Sequence, residues 1–253
     1  MNHFPKIGLL ITHYNRAKSL ENLLKTFQSM NCTFGSIIVS DDGSRREHLD
    51  KVIDLQLKYS FQLICASENK GLGNNINKGQ DAINTPFTLY IQEDFEPKAA
   101  FPEILKEAYD FMRQDNSLDI VRFYAYYPYP YLKYFNTHFS EMWIKPFATN
   151  YRKIYFYSDH PHLRRSSFFD KFGRYTEALK GDKTEYKMCI SFLRNKGKGL
   201  FYNDCQDLFT QKNTNEEPST MIRSNWRNNN NWFISSIRYI YRQIKYNYDI
   251  FHS

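Results

Sequence analysis

The stretch FTLYIQEDFEP, Phe87–Pro97, contains the clearest indication of how this chain folds. Its first five residues, Phe87–Ile91, favour a β-strand, and Glu93, Asp94 and Glu96 follow almost at once. A buried strand therefore delivers three carboxylates to its C-terminal end, which in open α/β sheets is the end where ligands bind. Neighbouring carboxylates repel one another unless a proton or a cation intervenes, so the stretch indicates either a divalent metal site or an acidic turn.

Three apolar runs precede this stretch, and each is followed by apolar residues at helical spacing. The predicted strands are Ile7–Thr12, Ser36–Ser40 and Phe61–Ala66. Strands that alternate with helices indicate a parallel, twisted sheet with helices on both faces. The expected fold class is therefore α/β.

The pattern is less regular after this first part. It predicts a helix near Ile104–Met112, a strand at Asp119–Tyr124, and a loop at Tyr124–Phe135, where Pro128 and Pro130 exclude a central strand or a helix interior. The remaining predictions are a strand at Ile154–Tyr157, a short helix at His162–Phe172, a helix at Lys183–Asn195 and a strand at Leu200–Tyr202.

The composition excludes a disordered chain, because 42% of the residues are hydrophobic and 17% are aromatic. The cysteines lack metal-ligand spacing, so we expect reduced thiols in a cytoplasmic protein, with neither zinc nor disulfides. The sequence has no long apolar window and no basic segment ahead of one, so we expect no membrane-spanning helix and no signal peptide. The net charge of +7 indicates an acidic partner, which could be a nucleotide, a nucleic acid or an anionic lipid.

Polar residues that follow parallel strands meet at one edge of the sheet. Here they are His13, Tyr14, Asn15 and Arg16, then Asp41 and Asp42, then Asn69 and Lys70, and last Glu93 and Asp94. Such carboxylates can accept hydrogen bonds from a nucleobase or ribose, and an oxygen-ligated Mg²⁺ or Mn²⁺ can bridge a diphosphate to an aspartate. The glycine loop KGLGNNINKG, residues 70–79, lacks the spacing of a dinucleotide fingerprint and of a P-loop.

The segments IGLLITHYNR, IIVSDDGS, ENKGLGNNINKGQDAI and FTLYIQEDFEP, in this order, resemble a bacterial polysaccharide-type family-2 glycosyltransferase with the GT-A fold. The resemblance covers Lys6 to about Pro97 and is scattered beyond. It implies a Rossmann-like, mostly parallel sheet flanked by helices, and the spacing of apolar residues after Trp226 predicts a C-terminal helical tail in addition. It also implies inverting transfer of a sugar from a nucleotide sugar, often a UDP-sugar, to a glycan or lipid-linked acceptor. The implied parts are a donor half at 1–98, an acceptor half at 99–210, and a loop with a basic, aromatic tail at 211–253.

The resemblance also implies roles for individual residues. The donor-binding residues are Thr12, His13, Tyr14, Asn15, Arg16, Asp41, Asp42, Lys70, Asn74 and Glu93, with Asp42 at the base and Asp41 close by. Where the family usually has Asp-x-Asp, this chain has Gln92, Glu93 and Asp94. Asp94 is the favoured ligand of Mn²⁺ or Mg²⁺, Glu93 contacts ribose or completes the shell, and Glu96 is the remaining candidate.

An inverting transfer needs a general base to take the proton of the acceptor hydroxyl. The family often places this acid at the start of a helix after a glycine-containing loop, and Gly173–Leu193 fits that description. Glu185 is the favoured base, with Asp182 and Glu177 as competitors. The alternative for Glu185 is an ordinary acid of a first helical turn, which complements the helix dipole.

Two further segments have two interpretations each. SDHPHLRR, Ser158–Arg165, places Asp159, His160 and His162 on the acceptor side, or is a polar turn before a helix. The two histidines lack the spacing of a helical zinc pair. NEEPST, Asn215–Thr220, is a flap over the donor phosphates or a plain loop.

The tail at 232–248 has apolar residues at helical spacing and a basic opposite face. Such a helix can lie on a membrane, here the cytoplasmic face of the inner membrane, or it can pack on its own domain or on a twin subunit in a homodimer. Two rival functions stay open at this point: a nucleotidyltransferase-like enzyme, and a non-enzymatic binder of nucleic acids or anionic surfaces. No nucleic-acid partner is expected under the favoured interpretation.

Overall fold

The computed structural model describes residues 2–144, 148–212, 217 and 232–252, with the backbone alone described at 232–235. The strands are β1 (Asn2–His13), β2 (Cys32–Asp41), β3 (Gln62–Cys65), β4 (Phe87–Gln92), β5 (Phe95–Pro97), β6 (Ile120–Arg122), β7 (Leu132–Tyr134), β8 (Phe139–Met142), β9 (His162–Arg165), β10 (Gly199–Tyr202) and β11 (Phe209–Gln211). The α-helices are α1 (Ala17–Ser29), α2 (Arg46–Tyr59), α3 (Leu72–Asp81), α4 (Phe101–Gln114), α5 (Phe168–Phe172), α6 (Gly181–Arg194) and α7 (Trp232–His252), and a 3₁₀ helix spans Tyr151–Phe156.

The main sheet has the strand order β3-β2-β1-β4-β9-β6-β10-β8-β7. Strands β3, β2, β1 and β4 are parallel, β9 is antiparallel to both β4 and β6, and β10 is parallel to β6. The carboxyl ends of β1, β2, β4, β6 and β10 therefore share one edge. The predicted α/β fold with a mostly parallel sheet is confirmed.

Alternate residues of β1 face two helical layers, as the period of a strand requires. Leu9 and Ile11 pack in the core that includes residues of α1, α2 and α4, whereas Leu10 packs with residues of α3 and α6. Helix α3 approaches the sheet closely at Gly79, where a Cβ atom would lie 2.4 Å from Leu10 Cδ1. Only glycine allows this approach without a shift of the neighbouring side chain.

Two predicted elements were wrong. Ile154–Tyr157 is not a strand, because most of it lies in the 3₁₀ helix, whose first turn is capped by the Asn150 side chain accepting from the Arg152 N–H at 2.9 Å. A short apolar run cannot by itself distinguish the two structures. His162–Phe172 is not one helix either, since its first residues form β9 between two core strands and α5 begins only at Phe168.

The predicted loop at Tyr124–Phe135 contains the short edge strand β7, which pairs with β8. Outside the main sheet, β11 pairs with β5 and so brings a late segment of the chain beside the acidic stretch. Among the described residues, no helix has the length and apolar character that crossing a membrane requires.

Candidate active site

The ends of β1, β2 and β4 meet as predicted, with His13 opposite Asp41 and Thr12 opposite Gln92 in the strand registers. The segment before β9 approaches the same edge, since the Gln92 side chain donates to the Asp159 carbonyl at 3.4 Å. The sheet edge therefore gathers residues from both halves of the chain.

His13 and Asp41 are buried at the ends of β1 and β2, beside the loop that follows β1. The Arg16 N–H donates to His13 Nε2 at 3.1 Å, so the ring hydrogen lies on Nδ1, which donates to Asp41 Oδ2 at 2.7 Å. Ser44 Oγ donates to the same carboxylate oxygen at 2.5 Å. Burial raises the pKa of Asp41, but the hydrogen bonds from His13 and Ser44 outweigh it and leave this pKa below its ordinary value. These two residues fix the shape of the loop.

Asp42 ties the glycine loop to the end of β2. Its two carboxylate oxygens accept from the Lys70 and Gly71 N–H groups at 2.9 Å each. Burial raises the pKa of Asp42, and these two bonds oppose that shift. Lys78, which the sequence interpretation missed, donates from Nζ to the Asp41 carbonyl at 2.6 Å. Its position one turn after Asn75 in α3 was the available signal.

The other predicted donor residues lie at the end of β1, in the loop after it and in the glycine loop. Thr12 is buried at the end of β1, and Tyr14 is half-buried in the loop after it. Asn15 has a left-handed backbone (φ +54°), and its side-chain oxygen accepts from the Arg45 N–H at 2.7 Å. Lys70 is exposed. The loop is therefore held by its own side chains before any ligand binds.

The acids after β4 face a guanidinium group. Glu93 and Asp94 are 8% and 5% exposed, and Arg16 Nη1 lies 3.7 Å from Glu93 Oε1 and 3.1 Å from Asp94 Oδ2. Burial, and next the charge of Asp94, raise the pKa of Glu93 to about 8 although Arg16 opposes them. Glu96 lies apart from this group, since it pairs with Lys212 Nζ at 2.6 Å. A proton and an arginine thus relieve the predicted repulsion.

One oxygen of this acidic group is suited to a cation. Asp94 Oδ2 accepts from Gln211 Nε2 at 2.8 Å, whereas the buried Oδ1 has no hydrogen-bond partner in the described part of the chain. An orphaned buried carboxylate oxygen calls for a ligand. Within residues 2–144, 148–212, 217 and 232–252, no three acidic, histidine or cysteine side chains form a metal cluster. The site therefore fits a cation that takes most of its ligands from water and substrate, as Mg²⁺ does.

Arg16 and Glu217 form a clasp between the start of α1 and a distant segment. Arg16 Nη2 donates to the carbonyls of Lys212 and Glu217 at 3.0 and 3.2 Å. The Glu217 carboxylate accepts from the N–H groups of Lys18 and Ser19 at 2.9 Å each, and from Ser19 Oγ at 2.5 Å. No acid lies in the first turn of α1, so Glu217 supplies the negative charge that a helix N-terminus favours. We call this arrangement the Arg16–Glu217 clasp.

Glu185 and Asp159 lie next to each other. Glu185 Oε1 accepts from Ser158 Oγ at 2.9 Å and from the Asp159 N–H at 3.1 Å. Tyr175 donates its hydroxyl to Asp159 Oδ1 at 2.5 Å. Burial, and next the charge of Glu185, raise the pKa of Asp159 to about 8. Near neutral pH the Asp159 carboxyl therefore keeps its proton far more often than an ordinary aspartate does.

The two predicted histidines have different surroundings. The half-buried His160 ring packs edge-to-face on Tyr126 with centroids 4.8 Å apart, and burial, followed by the charge of Arg122, lowers the pKa of His160 to about 3. His162 is fully buried in β9 and donates from Nδ1 to the His160 carbonyl at 2.7 Å. Of the two rings, only that of His160 is partly accessible to a ligand.

The competing acids also occupy separate positions. Glu177 accepts from the side-chain amides of Asn74 and Asn77 at 2.8 Å each, which fixes α3 to the segment before α6. Asp182 lies in the first turn of α6, about one turn before Glu185. The predicted flap at Asn215–Thr220 lies outside the described residues except for Glu217.

Comparison with known proteins identifies relatives of this chain. A family model described as Glycosyl transferase family 2 matches residues 9–173. The cholesterol galactosyltransferase of Borreliella burgdorferi is 30% identical over 127 residues, which are 49% of this chain and 34% of that protein. The GalNAc(5)-diNAcBac-PP-undecaprenol beta-1,3-glucosyltransferase of Campylobacter jejuni is 29% identical over 97 residues, which are 36% of this chain and 30% of that protein. The match spans about a third of each of these relatives.

Solved structures share the fold. S. aureus TarS 1–349 in complex with UDP-GlcNAc has a TM-score of 0.61 at 16% identity, covering 97% of this chain and 70% of that one. The alignment with another TarS 1–349 structure covers 81% of this chain and 59% of that one. The mannosyltransferase PcManGT from Pyrobaculum calidifontis in complex with GDP-Man and Mn²⁺ has a TM-score of 0.50 at 11% identity, covering 76% and 53%. The GT-A fold expected from the sequence is confirmed.

Proposed function

Because this chain belongs to glycosyl transferase family 2, we propose that it transfers a sugar, with inversion, from a UDP-sugar to a hydroxyl of a lipid-linked or glycan acceptor in surface polysaccharide synthesis. The observation that carries the proposal is the meeting of Asp42, the Glu93–Asp94 pair and Glu185 at one edge of the sheet. The relatives named for cholesterol and undecaprenol acceptors support a lipid-linked acceptor, and the UDP-GlcNAc complex of TarS supports a UDP-sugar.

In this proposal residues 1–98 hold the donor. Each Asp42 oxygen already accepts one backbone N–H and keeps a second lone pair, which a nucleobase N–H can use. The loop Thr12–Arg16 forms the adjoining wall, and the exposed Lys70 offers a positive charge. The uridine therefore meets groups that are held in place in advance.

Asp94 and Arg16 are the residues that would stabilise the leaving diphosphate. Asp94 would hold Mn²⁺ or Mg²⁺ through Oδ1, and the bound cation would supply neutralisation of the diphosphate charge. Arg16 contributes a fixed positive charge beside the same acids. Glu93 completes the group in its protonated or its ionised form, according to pH.

Residues 99–210 hold the acceptor, with Glu185 as the general base. Asp159 is the weaker candidate because its raised pKa keeps much of it protonated near neutrality. His160 is the neutral neighbour that contacts an acceptor hydroxyl. We leave His162 out of the acceptor site because it is fully buried.

We also propose that the tail, residues 211–253, contacts the cytoplasmic face of the membrane. The outward stripe of α7 exposes Ile237, Ile240, Ile244 and Phe251 by 54%, 57%, 67% and 76%. Such a stripe can enter the interfacial region of a bilayer. The opposite side of α7 packs on the acceptor half, where Asp249 accepts from the Tyr186 hydroxyl. The alternative is that a twin subunit in a homodimer covers this stripe.

A thermal-shift screen of UDP-, GDP- and dTDP-sugars, with and without Mn²⁺, tests the donor. We expect a UDP-sugar to raise the melting temperature and Mn²⁺ to increase that rise, with Asp42→Ala abolishing it. Glu185→Gln is expected to reduce transfer at least about 100-fold, the size of general-base effects, while leaving donor binding intact. Absence of any stabilisation, together with salt-dependent oligonucleotide binding, would instead support the nucleic-acid binder.

A further inference from the structure

Glu185 is oriented by two hydrogen bonds that end on the same oxygen. Ser158 Oγ donates to Oε1 at 2.9 Å and the Asp159 N–H donates to it at 3.1 Å. No described residue donates to Oε2. One carboxylate oxygen is thus fixed by the protein, and the other is left to meet a substrate proton.

The direction of the Ser158 bond determines the hydrogen position on His160. A serine hydroxyl has one hydrogen, and Ser158 gives it to Glu185. The contact of 3.0 Å between Ser158 Oγ and His160 Nδ1 therefore requires the ring to donate from Nδ1. His160 is neutral because burial and Arg122 lower its pKa to about 3. Nε2 consequently carries a lone pair, and no described residue donates to it.

The ring itself is held by aromatic packing. Tyr126, Tyr124 and Phe95 surround it at centroid distances of 4.8, 5.4 and 5.9 Å. Tyr126 is 42% exposed, and its hydroxyl is fixed by donation to Gln211 Oε1 at 2.6 Å. The imidazole is therefore packed edge-to-face against three aromatic rings, one of which is exposed.

We propose that His160 and Ser158 are positioning residues that aim Glu185: His160 Nδ1–H donates to Ser158, Ser158 donates to Glu185 Oε1, and Oε2 receives the acceptor proton. The inference rests on the proposed function for the role of Glu185. The same relay makes His160 Nε2 a hydrogen-bond acceptor for a second hydroxyl of the acceptor.

Nitrogen-15 NMR of the full chain with labelled histidine rings tests the relay in the free protein. The chain has 7 histidines. The ring-nitrogen resonances of His160 are identified as those that disappear in the His160→Gln variant. At pH 7 we expect Nδ1 protonated and Nε2 bare in the wild type. Ser158→Ala and, independently, Glu185→Ala should raise the Nε2–H tautomer, since either change removes the constraint on the ring hydrogen. Ser158→Thr should restore the wild-type spectrum, and Ser140→Ala, a distant control, should not alter it.

Steady-state kinetics distinguish a positioning role of Ser158 from a purely structural one. With UDP-GlcNAc as the probe and UDP release as the signal, Ser158→Ala should lower kcat about tenfold with KM for the donor within twofold, and Ser158→Thr should recover most of it. An Nε2–H tautomer in the wild type, or unchanged spectra in both the Ser158→Ala and Glu185→Ala proteins, would overturn the relay. Normal kcat in Ser158→Ala would overturn its positioning role. If the wild-type protein turns over no nucleotide sugar, the proposed function fails and the NMR result still decides the relay.

Discussion

Replacement of Glu93 by glutamine should stabilise the protein increasingly as pH rises. Glu93 is buried beside Asp94, and its pKa is raised from an ordinary value of 4.5 to about 8. Between these two values the unfolded chain releases the proton while the folded protein keeps it. The unfolded state then binds fewer protons, so the free energy of unfolding falls as pH increases. The glutamine side chain of the variant has nothing to ionise, so the variant should not show this part of the decline.

The size of the effect follows from the pKa difference. Each pKa unit corresponds to about 1.4 kcal/mol, so the gap between 4.5 and about 8 corresponds to about 4 to 5 kcal/mol at most. We expect Glu93→Gln and the wild type to have similar stability near pH 5. Most of the difference should develop by pH 8.

The measurement is urea unfolding at four pH values from 5 to 8, in buffer with a chelator so that metal ions do not alter the ionisation of Glu93. Glu96→Gln is the matched control, because Glu96 lies three residues away but pairs with Lys212 outside the buried group. Its effect on stability should change little across this range. A stability difference for Glu93→Gln that stays constant from pH 5 to 8 would show that the folded protein does not hold a proton on Glu93 in this range.

Three further changes test other parts of the structure. Glu217→Ala should lower the free energy of unfolding by about 1 to 2 kcal/mol, the usual cost of losing a helix cap. The control is Glu103→Ala, which removes an exposed acid from the first turn of α4 and should lower the free energy of unfolding by about 0.3 kcal/mol. Equal losses for the two variants in urea titrations would contradict the role given to the Arg16–Glu217 clasp. Gly79→Ala should destabilise by about 1 to 3 kcal/mol because its Cβ would overpack against Leu10, and a neutral result would mean that α3 can move away freely. Ile244→Asp should weaken binding to vesicles with anionic lipids at least about tenfold, whereas Leu57→Asp, at an 83% exposed site on α2, should not; equal effects would exclude the α7 stripe as the contact.

The strands β1, β2 and β4 and their shared edge could be predicted because buried parallel strands appear as continuous apolar runs. The role of each acid could not be predicted in the same way. Asp41 and Asp42 are neighbours in sequence, yet one bonds to His13 and Ser44 and the other to the glycine loop. That difference depends on the direction of each side chain at the end of β2.

The second half of the chain was harder to predict for a different reason. The segment that begins at His162 is polar by composition, but β9 is inserted between two core strands and so buries His162 and Arg164 completely. The buried Arg164 guanidinium donates a hydrogen bond from Nη2 to Gln80 Oε1 at 2.9 Å. Local sequence carries no signal for such a partner 84 residues away.

The Arg16–Glu217 clasp has a consequence for how the protein is made. Its hydrogen bonds join residues that are 196 to 201 positions apart. During synthesis the first strand emerges about 200 residues before Glu217, so the start of α1 lacks its distant carboxylate until that residue has been translated. Contacts of such long sequence separation form late because chain closure must come first. We therefore expect a nascent chain to pair β1 to β4 early and to complete the surroundings of Arg16 only after Glu217 has been synthesised.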